Sequence, residues 1–224
     1  MIQLYKRMQR MRENYVDTIA KLYEYGTAAY GKKQYTQWYD TTEGGYTFSS
    51  FKEKCDSLSK KLTQYGIGAG DKVAILSQSM PNWSVAFFSI VPFGRIAIPI
   101  LPDSSENEVT NIINHSESKV MFVSQRLIGK VSQEVKDKMT LSFDLDTFEM
   151  LKSDDDKFTC DGRTTNPTPD DIATIIYTSG TTGYSKGVMI AGKNFRANIA
   201  FALDTDQAKR GYNILSMLPL AHAY

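Results

Sequence analysis

The chain has 224 residues, 42% of them hydrophobic and 23% charged, enough apolar material for a substantial core and too much for global disorder. Its formal net charge of +1 lacks the basic excess that duplex nucleic acid selects, so no nucleic-acid partner is expected. Cys55 and Cys160 stand far apart with no CxxC spacing, which indicates neither a zinc site nor a disulfide framework and fits a reducing cytoplasm.

A small basic cluster, Lys6, Arg7, Arg10 and Arg12, opens the chain, and two readings of it stay open: a solvated helix end, or peripheral attraction to an anionic membrane surface. No apolar h-region follows it, so no signal peptide is read. The most apolar window, FFSIVPFGRIAIPIL (87–101), is interrupted by Pro92, Gly94, Arg95 and Pro99 and cannot be a clean membrane span.

Residues 13–30 carry Tyr15, Val16, Ile19, Leu22 and Tyr23 at the spacing of one helix face. Segments 34–39 and 46–48 around TTEGG predict a hairpin. A helix then starts at Ser49 or Ser50, whose hydroxyl can cap it. It should bury Phe51, Cys55, Leu58 and Leu62 and stop at Gly66, Gly68 and Gly70. Strand-like runs at 72–76, 96–100 and 120–123 alternate with helical patterns at 82–93, 106–115 and 128–138. That alternation predicts an α/β fold with mainly parallel sheet and helices on both faces.

The polar, aperiodic stretch SDDDKFTCDGRTTNPTPDD (153–171) breaks the rhythm. It divides the chain into a first α/β subdomain (1–152), a linker or long loop (153–171) and the start of a second α/β subdomain (172–224). Asp154, Asp155 and Asp156 read as a solvated surface rather than a metal site.

The most informative stretch is YTSGTTGYSKGVMI (177–190), with a strand expected on each side of it (172–177 and 187–190). It holds five serine and threonine hydroxyls (Thr178, Ser179, Thr181, Thr182 and Ser185), three glycines and Lys186. Glycines permit positive φ and expose successive N–H groups, which form an anion-binding nest; hydroxyls add donors and the lysine adds a point charge. By residue type alone the loop is either a flexible turn or a polyphosphate cradle. It is not a Walker A loop, because Ser185 stands where the second glycine is required and Gly187 follows the lysine. GIGAG (66–70) follows a helix rather than a strand and is a helix stop, not a dinucleotide fingerprint.

The order Thr-Ser-Gly-Thr-Thr-Gly-x-x-Lys-Gly after a Tyr-ended strand closely resembles the phosphate loop of the adenylate-forming enzymes. The likeness extends from about Tyr46 onward, through GDKVAI (70–75), HSESKVMFVS (115–124) and SMLPLAHAY at the end. Within that superfamily LPLAH followed by an aromatic is most similar to long-chain fatty acyl-CoA synthetases. One departure is Ser185, where the family usually has proline.

The resemblance implies a ligase that uses ATP with Mg2+ to convert a fatty acid into an acyl-adenylate and passes the acyl group to coenzyme A. It implies that Thr178, Ser179, Gly180, Thr181, Thr182 and Gly183 hold the β- and γ-phosphates, and that Lys186 neutralises departing pyrophosphate. His222 would sit near the acyl and α-phosphate end of the site. His115 has no such support and is expected to be structural, and Trp83 is read as packing. The family's adenine, ribose and hinge motifs and its C-terminal lysine are not found among these residues. The resemblance therefore implies an N-terminal part of such an enzyme, inactive by itself, with apolar surface exposed where the rest would pack. Aryl- or amino-acid activation, and a non-catalytic nucleotide- or acyl-binding module, stay open as alternatives.

Overall fold

A computed structural model describes residues 18–37, 44–154, 164–179, 185–204 and 213–222. The basic cluster and Cys160 lie outside them. Helix α1 (Ile19–Tyr30) starts at Thr18, whose hydroxyl accepts from the Lys21 N–H. Strands β1 (Gln34–Thr36) and β2 (Tyr46–Thr47) form the expected antiparallel pair, Gln34 opposite Thr47.

Helix α2 (Phe48–Gln64) begins earlier than expected. Its cap is Thr47, in a reciprocal capping box with Ser50, so Ser50 serves at the third helical position rather than as the cap. The anticipated face of Phe51, Cys55, Leu58 and Leu62 is buried.

The core is a seven-stranded sheet in the order β7 (Met150–Ser153), β6 (Leu141–Asp144), β5 (Val120–Val123), β3 (Lys72–Leu76), β4 (Ile96–Ile100), β8 (Ile172–Ser179), β9 (Ser185–Ala191). Strands β3, β4, β5 and β6 pair in parallel. Their near-continuous apolar runs fit burial on both faces. Val73, Ile75, Ala97, Phe122 and Phe143 pack into one cluster with α1, α2 and α3 (Pro81–Ile90). Ala74, Leu76, Ile98, Met121 and Val123 pack into another with α4 (Glu106–Ser116) and α5 (Gln133–Lys138). The sheet thus has helices on both faces, as the alternation implied.

Two helices differ from expectation, and three further elements were not foreseen. The helix read over 82–93 ends at Ile90 and tightens into a 3-10 turn, Val91–Phe93, around Pro92. The helix read over 128–138 is two pieces, a 3-10 turn Gln125–Lys130 and then α5, restarted by Ser132, which accepts from the Val135 N–H. Strand β6 and its antiparallel neighbour β7 (Met150–Ser153) were not anticipated. Nor was helix α6 (Gly192–Asp204).

Strands on either side of residues 153–171 share this one sheet, because β8 (Ile172–Ser179) lies parallel to β4. Their ladder is a single registered pair, Ala97 with Thr174. The Ala97 carbonyl faces β8, since it accepts from the Thr174 hydroxyl at 2.8 Å. Two residues on, Pro99 falls on the same edge and has no N–H to continue the ladder. Beyond Thr174, the registered ladder of β8 is with β9 (Ser185–Ala191), its antiparallel partner.

Trp83 stacks on Phe87 at 5.4 Å, as packing. Its indole N–H is buried without an acceptor among the described residues. Apolar side chains are indeed exposed on β9, α6 and the segment 213–218, including Met189 at 66%, Phe201 at 63% and Met217 at 81%.

Candidate nucleotide-binding site

The β8–β9 hairpin is longer than expected on both sides of the loop. After an irregularity between Ile172 and Thr174, it keeps register from Thr174 opposite Ile190 to Ser179 opposite Ser185. Residues 180–184, with Gly180, Thr181, Thr182 and Gly183, lie outside the described residues. The last rungs bring Thr178 directly opposite Lys186. Side chains of such a pair share one face with Cβ atoms about 5 Å apart. Both residues are exposed, and neither side chain has a hydrogen-bond partner among the described residues. A hydroxyl donor and an ammonium thus flank the start and end of the glycine- and hydroxyl-rich loop.

The glycine after the lysine has a packing reason. Gly187 lies opposite Tyr177, and a Cβ there would come within 3.3 Å of Tyr177 Cζ and 3.0 Å of Ile175 Cγ2. Glycine lets the Tyr177 ring lie against the hairpin backbone. Burial pushes the Tyr177 phenol above its ordinary pKa, so it stays a neutral O–H. That hydroxyl meets His115 Nδ1 at 2.8 Å. His115, read from the sequence as merely structural, therefore touches the root of the loop.

Ser185 replaces the usual proline at the last rung. A proline there would remove an N–H and fix φ, so serine leaves the hairpin end less restrained.

Because β8 runs parallel to β4, its end at Ser179 lies at the carboxyl edge of the sheet, where open α/β sheets bind ligands. The LPLAH segment reaches the same edge. The Leu220 N–H donates to Ser79 Oγ at 3.0 Å, and Ser79 Oγ donates to the Leu218 carbonyl at 3.4 Å. Ser79 follows β3, so one hydroxyl clamps a segment some 140 residues later in the chain. Ala221 is buried and Leu220 packs on the first core cluster. The His222 N–H donates to the Pro219 carbonyl at 3.0 Å, and His222 itself is exposed. The structure brings the His222 segment and the hairpin to one edge, at β3 and β8, the strands flanking β4. The role of Ser79 had no signal in the sequence beyond its place after a β3-type run.

Elsewhere along this edge the polar groups satisfy one another. Gln125 donates from its side chain to Asp144 and from its backbone to Asp146, the latter at 2.7 Å. Asn82 donates to the carbonyls of Leu145 and Asp146. Among the described residues no group of three or more His, Cys, Asp or Glu side chains converges to hold a metal.

The AMP-binding enzyme family model matches residues 26–224. Fatty acyl-CoA synthetase A of Dictyostelium discoideum is 27% identical over 206 residues, covering 83% of this chain and 31% of that protein. A linear gramicidin synthase of Brevibacillus parabrevis is 31% identical over 157 residues, 70% of this chain and 3% of that protein. The crystal structure of a fatty acyl-adenylate ligase from L. pneumophila, in complex with acyl adenylate and pyrophosphate, superposes with a TM-score of 0.67. At 21% identity it covers 83% of this chain and 32% of its own, and it attests the fold. The chain thus spans less than a third of the length of either curated relative. With the match running through nearly all of the α/β sheet and across the Thr178–Lys186 hairpin, the chain belongs to the AMP-binding enzyme family.

Proposed function

We propose that this chain is the nucleotide-binding N-terminal part of an ATP-dependent, AMP-forming ligase that activates a long-chain fatty acid and transfers it to coenzyme A. The observation that carries the reading is the Thr178–Lys186 pair flanking the 180–184 loop at the carboxyl edge of the sheet. In this reading Thr178, Ser179, Gly180, Thr181, Thr182 and Gly183 cradle the β- and γ-phosphates. The acid carboxylate attacks the α-phosphorus, the bond to the β-phosphate oxygen breaks, and pyrophosphate leaves. Lys186 offsets the charge that grows on that leaving group. His222 stands at the acyl end, where it orients the carboxylate. A thiolate of coenzyme A then attacks the acyl carbonyl and AMP departs. Magnesium arrives with ATP as the substrate complex. The exposed hydroxyl and ammonium suit phosphate oxygens, and the described residues offer no carboxylate cluster of their own for a cation.

The first subdomain (1–152) supplies the packed platform and residues 172–224 begin the part that carries the loop. No helix among the described residues is long and apolar enough to cross a membrane. The cytoplasm is the proposed location, with peripheral membrane contact through the basic N-terminal cluster as an additional outcome to test.

The gramicidin synthase match favours a second reading, in which the acid is an amino acid. Acid-dependent ATP–pyrophosphate exchange by the complete reading frame distinguishes the two. Exchange supported by long fatty acids, and lowered about a hundredfold by Lys186→Ala, is the expected result. A parallel loss in Thr181→Val would extend the assignment into the loop. Exchange with amino or aryl acids alone moves the substrate assignment, and none with any acid leaves a nucleotide-binding module.

A further inference from the structure

Registered backbone pairing holds the β8–β9 hairpin to the rest of the sheet at one position. Its only registered pairing to β4 is at Thr174, and Pro99 denies β8 the next rung. From Thr174 to Ser179 is a lever of about 16 Å at the usual strand rise, so a tilt of only about 4° moves its end by about 1 Å. Displacements of that size are costly wherever a reacting group must be held in place.

Between described residues, one hydrogen bond ties this distal half to the body of the protein. Tyr177 OH meets His115 Nδ1 at 2.8 Å, on the last turn of α4. The rings meet edge to face, 5.6 Å apart at 86°. Tyr177 is also seated against the second core cluster, and Gly187 opposite leaves room for its ring. The next rung is the Thr178–Lys186 pair.

We infer that His115 and Tyr177 form a latch that sets the position of the phosphate-loop hairpin, making His115 a positioning residue for nucleotide. The inference rests on the reading of 178–186 as the ATP phosphate loop. The latch works in either neutral tautomer of the imidazole. With Nδ1 bare the tyrosine O–H donates to it, and with Nδ1 protonated its N–H donates to the phenol oxygen. Tyr177→Phe removes the hydroxyl while keeping the ring that fills the core.

The test is steady-state pyrophosphate exchange by the complete protein, with Tyr177→Phe, His115→Ala, their double variant and His115→Asn, whose amide stands near the position of Nδ1. The latch predicts that each of the first two raises KM for ATP about 2- to 10-fold, the range of one neutral hydrogen bond. KM for the acid should not change, the double variant should match the singles, and His115→Asn should restore much of the loss. A merely structural role would lower Tm and active fraction together and leave KM for ATP alone, and that result overturns the inference. So would single effects that multiply in the double variant. Lys186→Ala run alongside separates the two levels: if it leaves exchange unchanged, the phosphate-loop reading itself fails. If it abolishes exchange while Tyr177→Phe and His115→Ala keep wild-type KM for ATP, only the latch fails.

Discussion

Arg95 provides the sharpest test of how the platform beneath the site is held together. Its guanidinium is 0% exposed, yet every nitrogen is used. Nε donates to the Ile67 carbonyl at 2.8 Å. Nη1 donates to Ser59 Oγ at 2.8 Å and to the Ser89 carbonyl at 3.3 Å. Nη2 donates to Thr63 Oγ1 at 2.7 Å and to the Ser59 carbonyl at 3.2 Å. These bonds join the end of α2, the turn before β3 and the end of α3. Replacing Arg95 with Met keeps much of the stem and removes all the donors.

The acceptors do not suffer equally. The hydroxyls can turn, and the Ser59 carbonyl still receives the Thr63 hydroxyl. The Ile67 carbonyl loses its hydrogen bond from Nε. One orphaned buried acceptor costs about 1–3 kcal/mol, and losing charge-assisted bonds adds to it, while relief from burying the guanidinium subtracts. The net expectation is a loss of about 2–5 kcal/mol. With a urea slope of about 2 kcal/mol/M, the midpoint should fall by about 1–2.5 M. Arg95→Lys, which keeps the charge but only one nitrogen, should fall between the two. A Met variant with an unchanged or higher midpoint would refute this account, since a buried charge can also be replaced by apolar volume without loss.

Gly94 has φ of 82°, and a Cβ there would lie 2.5 Å from Thr165 Oγ1 and 3.2 Å from its carbonyl. Gly94→Ala should therefore cost about 1–3 kcal/mol in the same urea assay. Cys55 is buried, and burial, with Asp56 beside it, pushes its thiol well above the ordinary range. A thiol reagent at mildly alkaline pH should modify Cys55 only after denaturant is added, and prompt labelling of the native chain at that position would contradict the packing. Ser105 caps α4 in a capping box with Glu108, and the Ser105 N–H and hydroxyl hold the Glu108 carboxyl below the usual range. A lowered folded pKa means the contribution is complete above the unfolded value and fades as pH falls through the folded one. The stability gap between wild type and Glu108→Ala should thus be present at neutral pH and close well below the ordinary carboxylate value of about 4. A gap that persists there would show that packing, not ionised capping, sets it.

Much of this protein is a direct consequence of local pattern. Strands 72–76, 96–100 and 120–123 lie where short apolar runs between helical patterns put them. The buried face of α2 follows from a spacing of three to four residues, which any helix must turn to one side. The donor content of 177–190 was also readable, although residue type alone left both a flexible turn and a polyphosphate cradle open and only the resemblance in residue order favoured the cradle.

Other features depend on partners distant in the chain. Thr47 rather than Ser49 or Ser50 caps α2, because all three residues are competent caps and the β1–β2 pair fixes where the strand ends. The 128–138 pattern breaks at Ser132, whose hydroxyl finds a better use capping a new helix. The side-chain spacing carried no sign that β8 would join the first sheet beside β4 with a single registered pair, since proline at 99 matters only once a neighbour needs its missing N–H.

The site divides in the same way. The amino-acid sequence by itself determined the donor content of the proposed phosphate site, Thr178, Lys186 and the glycine-rich turn between them, because that content is a property of residue type and order. Only the tertiary structure decided that Tyr177 meets His115, 62 residues away, and that Ser79 clamps the segment bearing His222. Hydrogen-bond partners so far apart are chosen by sheet order and helix placement, which no local window of residues contains.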